Sequence, residues 1–520
     1  MTWVYLSSLL MIGLYFKFGR FWSVRNLDLV LLILLAPGLL IAQFGGEDRA
    51  RAERMAAADG SRAETPGEVV AADVAGPEVQ PEGPALPSAT AGSASGVIPE
   101  ESPEEPLESA RGPALGEGKI GRDLGQQTDA PTSDRRGGIE LFGFLWLFAI
   151  GTVWLVRLLL DPTMVRRPLL EPNLTTGGLI FIGASLFVFL MANVWTSQRF
   201  QAAPRLAQTG VESVSAEAAS GGPEGSAGEG MRRGPGYPLL NLVPSIPTMP
   251  LVPEGMPTTS QQRTYAIVAK VIAVLCHLAV VLGIVAIGYW HFGNTKTGAG
   301  VATLYLMLPY TAQMTGHIDH VIPAALLVWA ILCYRRPLTS GMLLAIATGL
   351  VYYPLFLLPL WVSFYWRRGL MRFAIGVVVT LTVMAVALVF IPHASYWENL
   401  KQMFGLWLPL QEGLQGIWGL GWDPVYRIPV LAGFFALSFT LAIWPPQKNL
   451  GTLLSCSAAV MVATQFWHGY GGGLYMGWYL PLTLLTMFRP NLEDRVALAV
   501  LGEGWNRWRT ASPVSGTRAA

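Results

Sequence analysis

The segment Gly316-His317-Ile318-Asp319-His320 sets three titratable side chains within four residues, directly ahead of an apolar run. A carboxylate beside imidazoles can accept a proton, orient a hydroxyl or bind a divalent cation. The plainer use of the same residues is to cap a helix and meet lipid headgroups. A second polar group follows in Pro392-His393-Ala394-Ser395-Tyr396-Trp397-Glu398, with Lys401 behind it. Helical spacing puts Trp397, Leu400, Phe404, Trp407 and Leu408 on one side, which predicts an amphipathic helix lying in a membrane interface. Glu398 and His393 are its candidates for chemistry. Arg427 closes Trp422-Asp423-Pro424-Val425-Tyr426-Arg427. Its guanidinium suits bidentate contact with a phosphate, that of a lipid carrier included, and pairing with Asp423 is the alternative. Trp467-His468-Gly469-Tyr470-Gly471-Gly472-Gly473 combines turn-forming glycines with aromatic faces of the kind that sugars and prenyl chains stack on. A flexible turn carrying interfacial aromatics is the other reading.

The elements that must position these residues are membrane helices. Hydrophobic residues make up 52% of the chain and charged residues 13%, whereas soluble domains carry roughly a quarter charged residues. Lysine plus arginine, 35, nearly balances aspartate plus glutamate, 34, so nucleic acid is excluded as a partner on charge grounds. Cys276, Cys333 and Cys456 all fall within apolar stretches and read as small buried hydrophobes. No Walker loop, dinucleotide fingerprint or His-x-x-x-His zinc motif occurs. The N-terminus lacks a basic region and a cleavage site, which predicts a retained helix.

Spans of about 20 apolar residues, some shorter, are predicted near residues 3–16, 29–44, 141–160, 177–195, 265–290, 298–314, 321–334, 338–352, 354–366, 371–391, 428–444, 450–467 and 474–488. The expected fold is an all-α polytopic transmembrane bundle of about 11–13 spans. Segments 45–138 and 197–262 are rich in Pro, Gly, Ala, Ser and Glu and nearly free of aromatics, a composition that predicts disordered linkers. The chain therefore divides into a first helix pair (1–44), an acidic linker (45–138), a second helix pair (139–196), a Gly/Pro-rich linker (197–262), a polytopic core (263–490) and a tail (491–520).

Sidedness follows from the short loops. Lys17, Arg20 and Arg25, then Arg166 and Arg167, Lys296, Arg335 and Arg336, Arg367, Arg368 and Arg372, and Lys448 all fall in loops of one parity. Positive charge marks the cytoplasmic side, so these loops and the C-terminal tail are expected inside, in a bacterial inner membrane. The N-terminus and both linkers are then outside, where the linkers can hold protein partners. Trp195, Trp290, Trp366, Trp444 and Trp467 end spans, as an interfacial belt in contact with membrane lipids requires. The outward loops of the core, 313–320, 352–354, 392–427 and 468–473, contain nearly all of its suspicious polar residues.

The stretch from Leu308 to Phe373 resembles the central helices of the GT-C superfamily of polytopic glycosyltransferases. Gly316, His317 and Asp319 match that superfamily's Gly-[Gln/His]-x-[Asp/Asn] turn, Arg335 and Arg336 its basic loop, and Pro354 and Pro359 its proline hairpin. The resemblance implies inverting sugar transfer from a polyprenyl-phosphate sugar to an acceptor at the outer face, with a carboxylate base and in some members a divalent cation. Asp319, His317 and Glu398 are then the catalytic candidates. Arg427, Lys401, His320, His468, Tyr470 and Trp467 are the candidates for holding substrate and carrier phosphate. Two departures mark the chain as divergent. The linker 197–262 contains no aspartate where relatives carry a base, and Tyr352 and Tyr353 stand where relatives place a lysine before proline. Two other classes also fit the sequence: a transporter or flippase using helices broken at Pro309, Pro323, Pro354 and Pro481, and a non-catalytic scaffold holding partners through its linkers.

Overall fold

The computed structural model describes residues 2–63, 130–164, 172–196, 258–390, 396–406, 414–420, 422–446 and 448–490. The central parts of both expected linkers, His393, Trp407, Leu408, Arg166, Arg167 and the tail from 491 lie outside the described residues.

The described residues form an all-α bundle of fifteen helices. They are α1 (Thr2–Tyr15), α2 (Val24–Ala63), α3 (Ala130–Leu160), α4 (Thr176–Thr196), α5 (Thr258–Trp290), α6 (Thr295–Met307), α7 (Pro309–Met314), α8 (Ile318–Leu332), α9 (Pro337–Leu350), α10 (Leu358–Tyr365), α11 (Leu370–Ala387), α12 (Tyr396–Phe404), α13 (Arg427–Ile443), α14 (Leu450–Trp467) and α15 (Leu480–Phe488). Six helices contain segments long and apolar enough to cross a membrane, and several shorter apolar helices accompany them. The chain is a multi-pass integral membrane protein. Twelve of the thirteen stretches expected to span coincide with a helix or with a helix joined to a 3-10 turn, and the thirteenth, 298–314, is divided into α6 and α7.

Helix boundaries differ from expectation at the linkers. Helix α2 continues to Ala63 and α3 begins at Ala130, reaching into the segment read as linker. Residues 47–63 are rich in Ala and Arg, strong helix formers whose summed propensity extends a helix already nucleated in the apolar part. The described residues up to Gly46 and from Gly137 onward form one compact unit.

Both N-terminal helix pairs pack into the same unit as the core. The buried Tyr15 hydroxyl donates to the carbonyl of Gly300 at 2.7 Å, and Thr303 donates to the carbonyl of Leu179 at 3.0 Å. A buried ion network adds to this. Arg157 makes a bidentate pair with Asp28 at 3.0 and 3.1 Å and reaches Asp161 at 3.1 Å, and Arg489 reaches the other oxygen of Asp161 at 2.7 Å. Charges withdrawn from water hold only when paired in this way. The network joins α2, α3 and the end of α15, far along the chain from one another.

Within the core α5 packs on α6 and α8, α8 on α9, and α9 on α11. Where lipid removes the hydrophobic drive between helices, close backbone approach replaces it. A Cβ on Gly341 would lie 2.5 Å from the carbonyl oxygen of Phe373, and one on Gly376 would strike the carbonyl of Leu338. Gly341→Leu is therefore expected to lower stability by about 1–3 kcal/mol through overpacking, read as an earlier unfolding transition in detergent; an unchanged transition would show that α9 and α11 can separate freely.

Of the tryptophans expected in the interfacial belt, Trp195, Trp290, Trp366 and Trp444 are exposed on the surface of the bundle. Trp467 is the exception. It is fully buried, ringed by Tyr353, Phe356 and Phe434.

Candidate functional site at one rim of the bundle

Two prolines create the polar site. Pro309 has no N–H to offer the carbonyl four residues earlier, so the helix breaks between α6 and α7 at Leu308. The orphaned carbonyl of Tyr305 accepts the Thr311 hydroxyl at 2.6 Å. Pro323, inside α8, frees the carbonyl of Asp319 in the same way. The indole of Trp478 donates to that carbonyl at 3.0 Å. Trp478→Phe is expected to cost about 1–3 kcal/mol by leaving a shielded carbonyl without a donor; an unaltered unfolding midpoint would show that water replaces the indole.

His317 occupies the N-cap of α8, yet its side chain makes no capping bond. Its ring is exposed and meets His320 edge-on at 5.4 Å. Asp319 lies in the first turn, where a negative charge meets the positive end of the helix. The ligand atoms of His317, Asp319 and His320 all lie within 4.8 Å of one another. His320 is buried, with Nδ1 2.6 Å from the Tyr310 hydroxyl and Nε2 3.9 Å from an Asp319 oxygen. Tyr475 stacks on its ring at 4.4 Å with 9° between planes. The capping role that the sequence allowed is thus not the role of His317, which is left at the exposed edge of a three-residue cluster.

The stack continues away from α8. Tyr475 meets His468 at 4.5 Å, His468 stacks on Tyr353 at 4.7 Å, and Tyr353 pairs with Tyr352 through hydroxyls 2.9 Å apart. The backbone N–H of Tyr470 donates to His468 Nδ1 at 3.1 Å, so a neutral His468 carries its proton on Nε2. The turn holding these rings is built by Gln465. Its side-chain oxygen accepts the N–H of both Gly473 and Tyr475 at 3.2 Å. Residues 414–420 are fastened alongside, Gln415 N–H donating to the carbonyl of Gly469 at 2.7 Å. Gly416 and Gly471 approach with backbone atoms in contact, Gly416 at φ +69°.

Residues from all four loops read as outward therefore meet at one end of the bundle. Arg427 belongs to this end but differs from expectation. It is buried, and its Nε and Nη2 donate to the carbonyl of Trp467 at 3.3 and 2.8 Å. The expected pairing with Asp423 does not form: the guanidinium is turned to the Trp467 carbonyl, and the Asp423 carboxylate accepts the N–H of Val425 at 2.9 Å. Trp467 and Tyr470, expected to present stacking faces, are turned inward at 0% and 2% exposure. The aromatic packing around Trp467 and the clasp between Gln415 and the turn hold them there.

Glu398 and Lys401 stand on the exposed side of α12, while Asn399 and Met403 face the bundle. Helix α12 meets the polar site at its C-terminal end, where Gly405, at φ +65°, lies against the Tyr352 ring. Glu398 is about 10 Å further along the helix at 1.5 Å per residue. The cluster and Glu398 are thus separate features of the same rim.

One further residue supports the site from within a span. His277 is fully buried in α5; its Nε2 donates to the carbonyl of Thr315 at 3.1 Å, which leaves Nδ1 to accept the Tyr305 hydroxyl at 3.2 Å. It fixes the loop immediately ahead of His317. A lone histidine in an apolar run gave no signal of spacing; only its position, deep in a membrane segment where a titratable group is costly, could have singled it out. No protein-family model, curated protein or solved structure matches the chain, so what is concluded about this site rests on its own residues.

Proposed function

We propose that this protein is a GT-C-like membrane glycosyltransferase that moves a sugar from a polyprenyl-phosphate carrier to an acceptor at the non-cytoplasmic face. The observation that carries the reading is the convergence of Asp319, His317 and His320 with His468 and its aromatic neighbours at one end of a helix bundle. Sugar transfer with inversion needs a base for the acceptor hydroxyl and positive charge for the departing phosphate. Asp319 fills the first role, flanked by imidazoles that orient the acceptor. Arg427, buried behind the rim, contributes positive potential to the second, as does Lys401 on the exposed side of α12. A donor carried by a lipid would reach this rim from the membrane that the apolar helices cross.

The test is incubation of purified protein with a panel of polyprenyl-phosphate sugars and scoring of carrier phosphate release. Release with at least one donor supports the reading, and none with any donor overturns it. The break between α6 and α7, next to buried His277 and Tyr305, favours a second reading as a flippase, since transporters bind at broken helices. Movement of a labelled lipid carrier across proteoliposomes without sugar transfer would select it.

A further inference from the structure

We propose that His317, Asp319 and His320 form a binding site for one transition-metal dication of the zinc class, with Tyr310 as its supporting residue. The site deepens the transferase reading, since it occupies the same rim, but metal binding can be measured without any sugar donor. Three observations carry it. The three side chains supply two imidazole nitrogens and one carboxylate whose ligand atoms lie within 4.8 Å of one another. A tetrahedral zinc ion with bonds of about 2.0–2.2 Å holds its ligand atoms roughly 3.3–3.5 Å apart. The Asp319 and His320 atoms, at 3.9 Å, stand too far apart to hydrogen-bond and close to the separation that an ion between them sets. His317 is exposed, so its ring can swing to complete the set.

The surroundings also fit. Metal-bound histidines donate their second ring N–H to a fixed acceptor, which sets the tautomer. With Nε2 of His320 on the metal, Nδ1 carries the proton and donates it to the Tyr310 oxygen, 2.6 Å away. Tyr475, stacked in parallel on the His320 ring, fixes its plane, and the Trp478 bond to the Asp319 carbonyl fixes the backbone between the ligands. Two nitrogen donors select zinc, cobalt or a similar ion over magnesium and calcium, which take oxygen ligands. Three protein ligands, with Asp319 ligating through one oxygen and its other oxygen receiving the acceptor's proton, leave a coordination position for an acceptor hydroxyl or a phosphate oxygen, as in a catalytic site.

Purified full-length protein, stripped with a chelator, would be titrated with Zn2+, Co2+ and Mg2+ in detergent. One saturable Zn2+ per chain, visible ligand-field absorption with Co2+ and no competition by Mg2+ are expected. His317→Ala, an exposed substitution compatible with folding, should weaken Zn2+ by more than the about 10–100-fold that loss of a supporting hydrogen bond costs, and Tyr310→Phe should fall within that range. Asp423→Asn, a carboxylate change on the same rim, should leave affinity unchanged. The proposal is overturned if the wild type shows no saturable Zn2+ binding, if Mg2+ displaces Zn2+, or if His317→Ala and Asp319→Asn bind like the wild type. Zinc binding without sugar transfer would leave the metal site standing and remove the transferase reading, and transfer by metal-free protein that binds no zinc would do the reverse.

Discussion

Replacing Asp319 by Asn is expected to lower sugar transfer by about 100- to 10,000-fold, the range attributable to a general base, while the protein still inserts and folds. The substitution conserves volume and leaves the backbone carbonyl that Trp478 holds untouched. What it removes is the negative charge at the head of α8, and with it the only carboxylate in the His317, Asp319 and His320 cluster. A carboxamide there neither accepts the acceptor's proton nor keeps an ionised oxygen toward His320. Carrier phosphate release, measured with the unfolding midpoint of the same preparation, separates loss of chemistry from loss of fold. Undiminished release by the variant would remove Asp319 from the reaction.

Asp161→Ala is expected to cost about 3–5 kcal/mol of stability, the range for breaking a buried ion pair by deleting one partner. The Asp161 side chain is fully buried and divides its two oxygens between Arg157 and Arg489. Its loss would leave Arg489 without the 2.7 Å contact and Arg157 with Asp28 alone of these carboxylates. Unfolding in detergent should show a large downward shift of the midpoint. Replacing Asp161, Arg157 and Arg489 together by apolar residues should restore much of the stability, because the cost lies in uncompensated charge and not in lost packing. A midpoint in Asp161→Ala equal to that of the wild type would show that water reaches the network and screens it.

The positions of the helices and the gathering of the polar loops were legible in the sequence for a physical reason. Every loop between short spans is forced to one end or the other, so parity alone assigns residues 313–320, 352–354, 392–427 and 468–473 to one rim. His317, Asp319 and His320 stand out because a few residues of local sequence carry all three. Partners drawn from far along the chain left no such trace. Tyr475 lies 155 residues from His320, and the Trp478 indole finds the Asp319 carbonyl only after α8 and the turn before α15 have packed. Pro323 did announce a freed carbonyl, but nothing local names its donor. Arg427 illustrates the opposite error. Proximity in sequence favoured Asp423, yet Asp423 satisfies a turn N–H and the guanidinium reaches the Trp467 carbonyl 40 residues away. The inward turn of Trp467 and Tyr470 has the same origin, since interfacial and core aromatics carry identical local signatures.

The account depends on the rim that carries Asp319 and His468 facing away from the cytoplasm. Single cysteines placed at His317, at Gln415 and at Arg368, in a chain whose native cysteines are replaced by serine, can be probed with a membrane-impermeant maleimide in sealed right-side-out vesicles. Labelling at positions 317 and 415, with position 368 reactive only after the vesicles are opened, is the predicted result. Labelling at 368 with protection of 317, or opposite behaviour of 317 and 415, would contradict it.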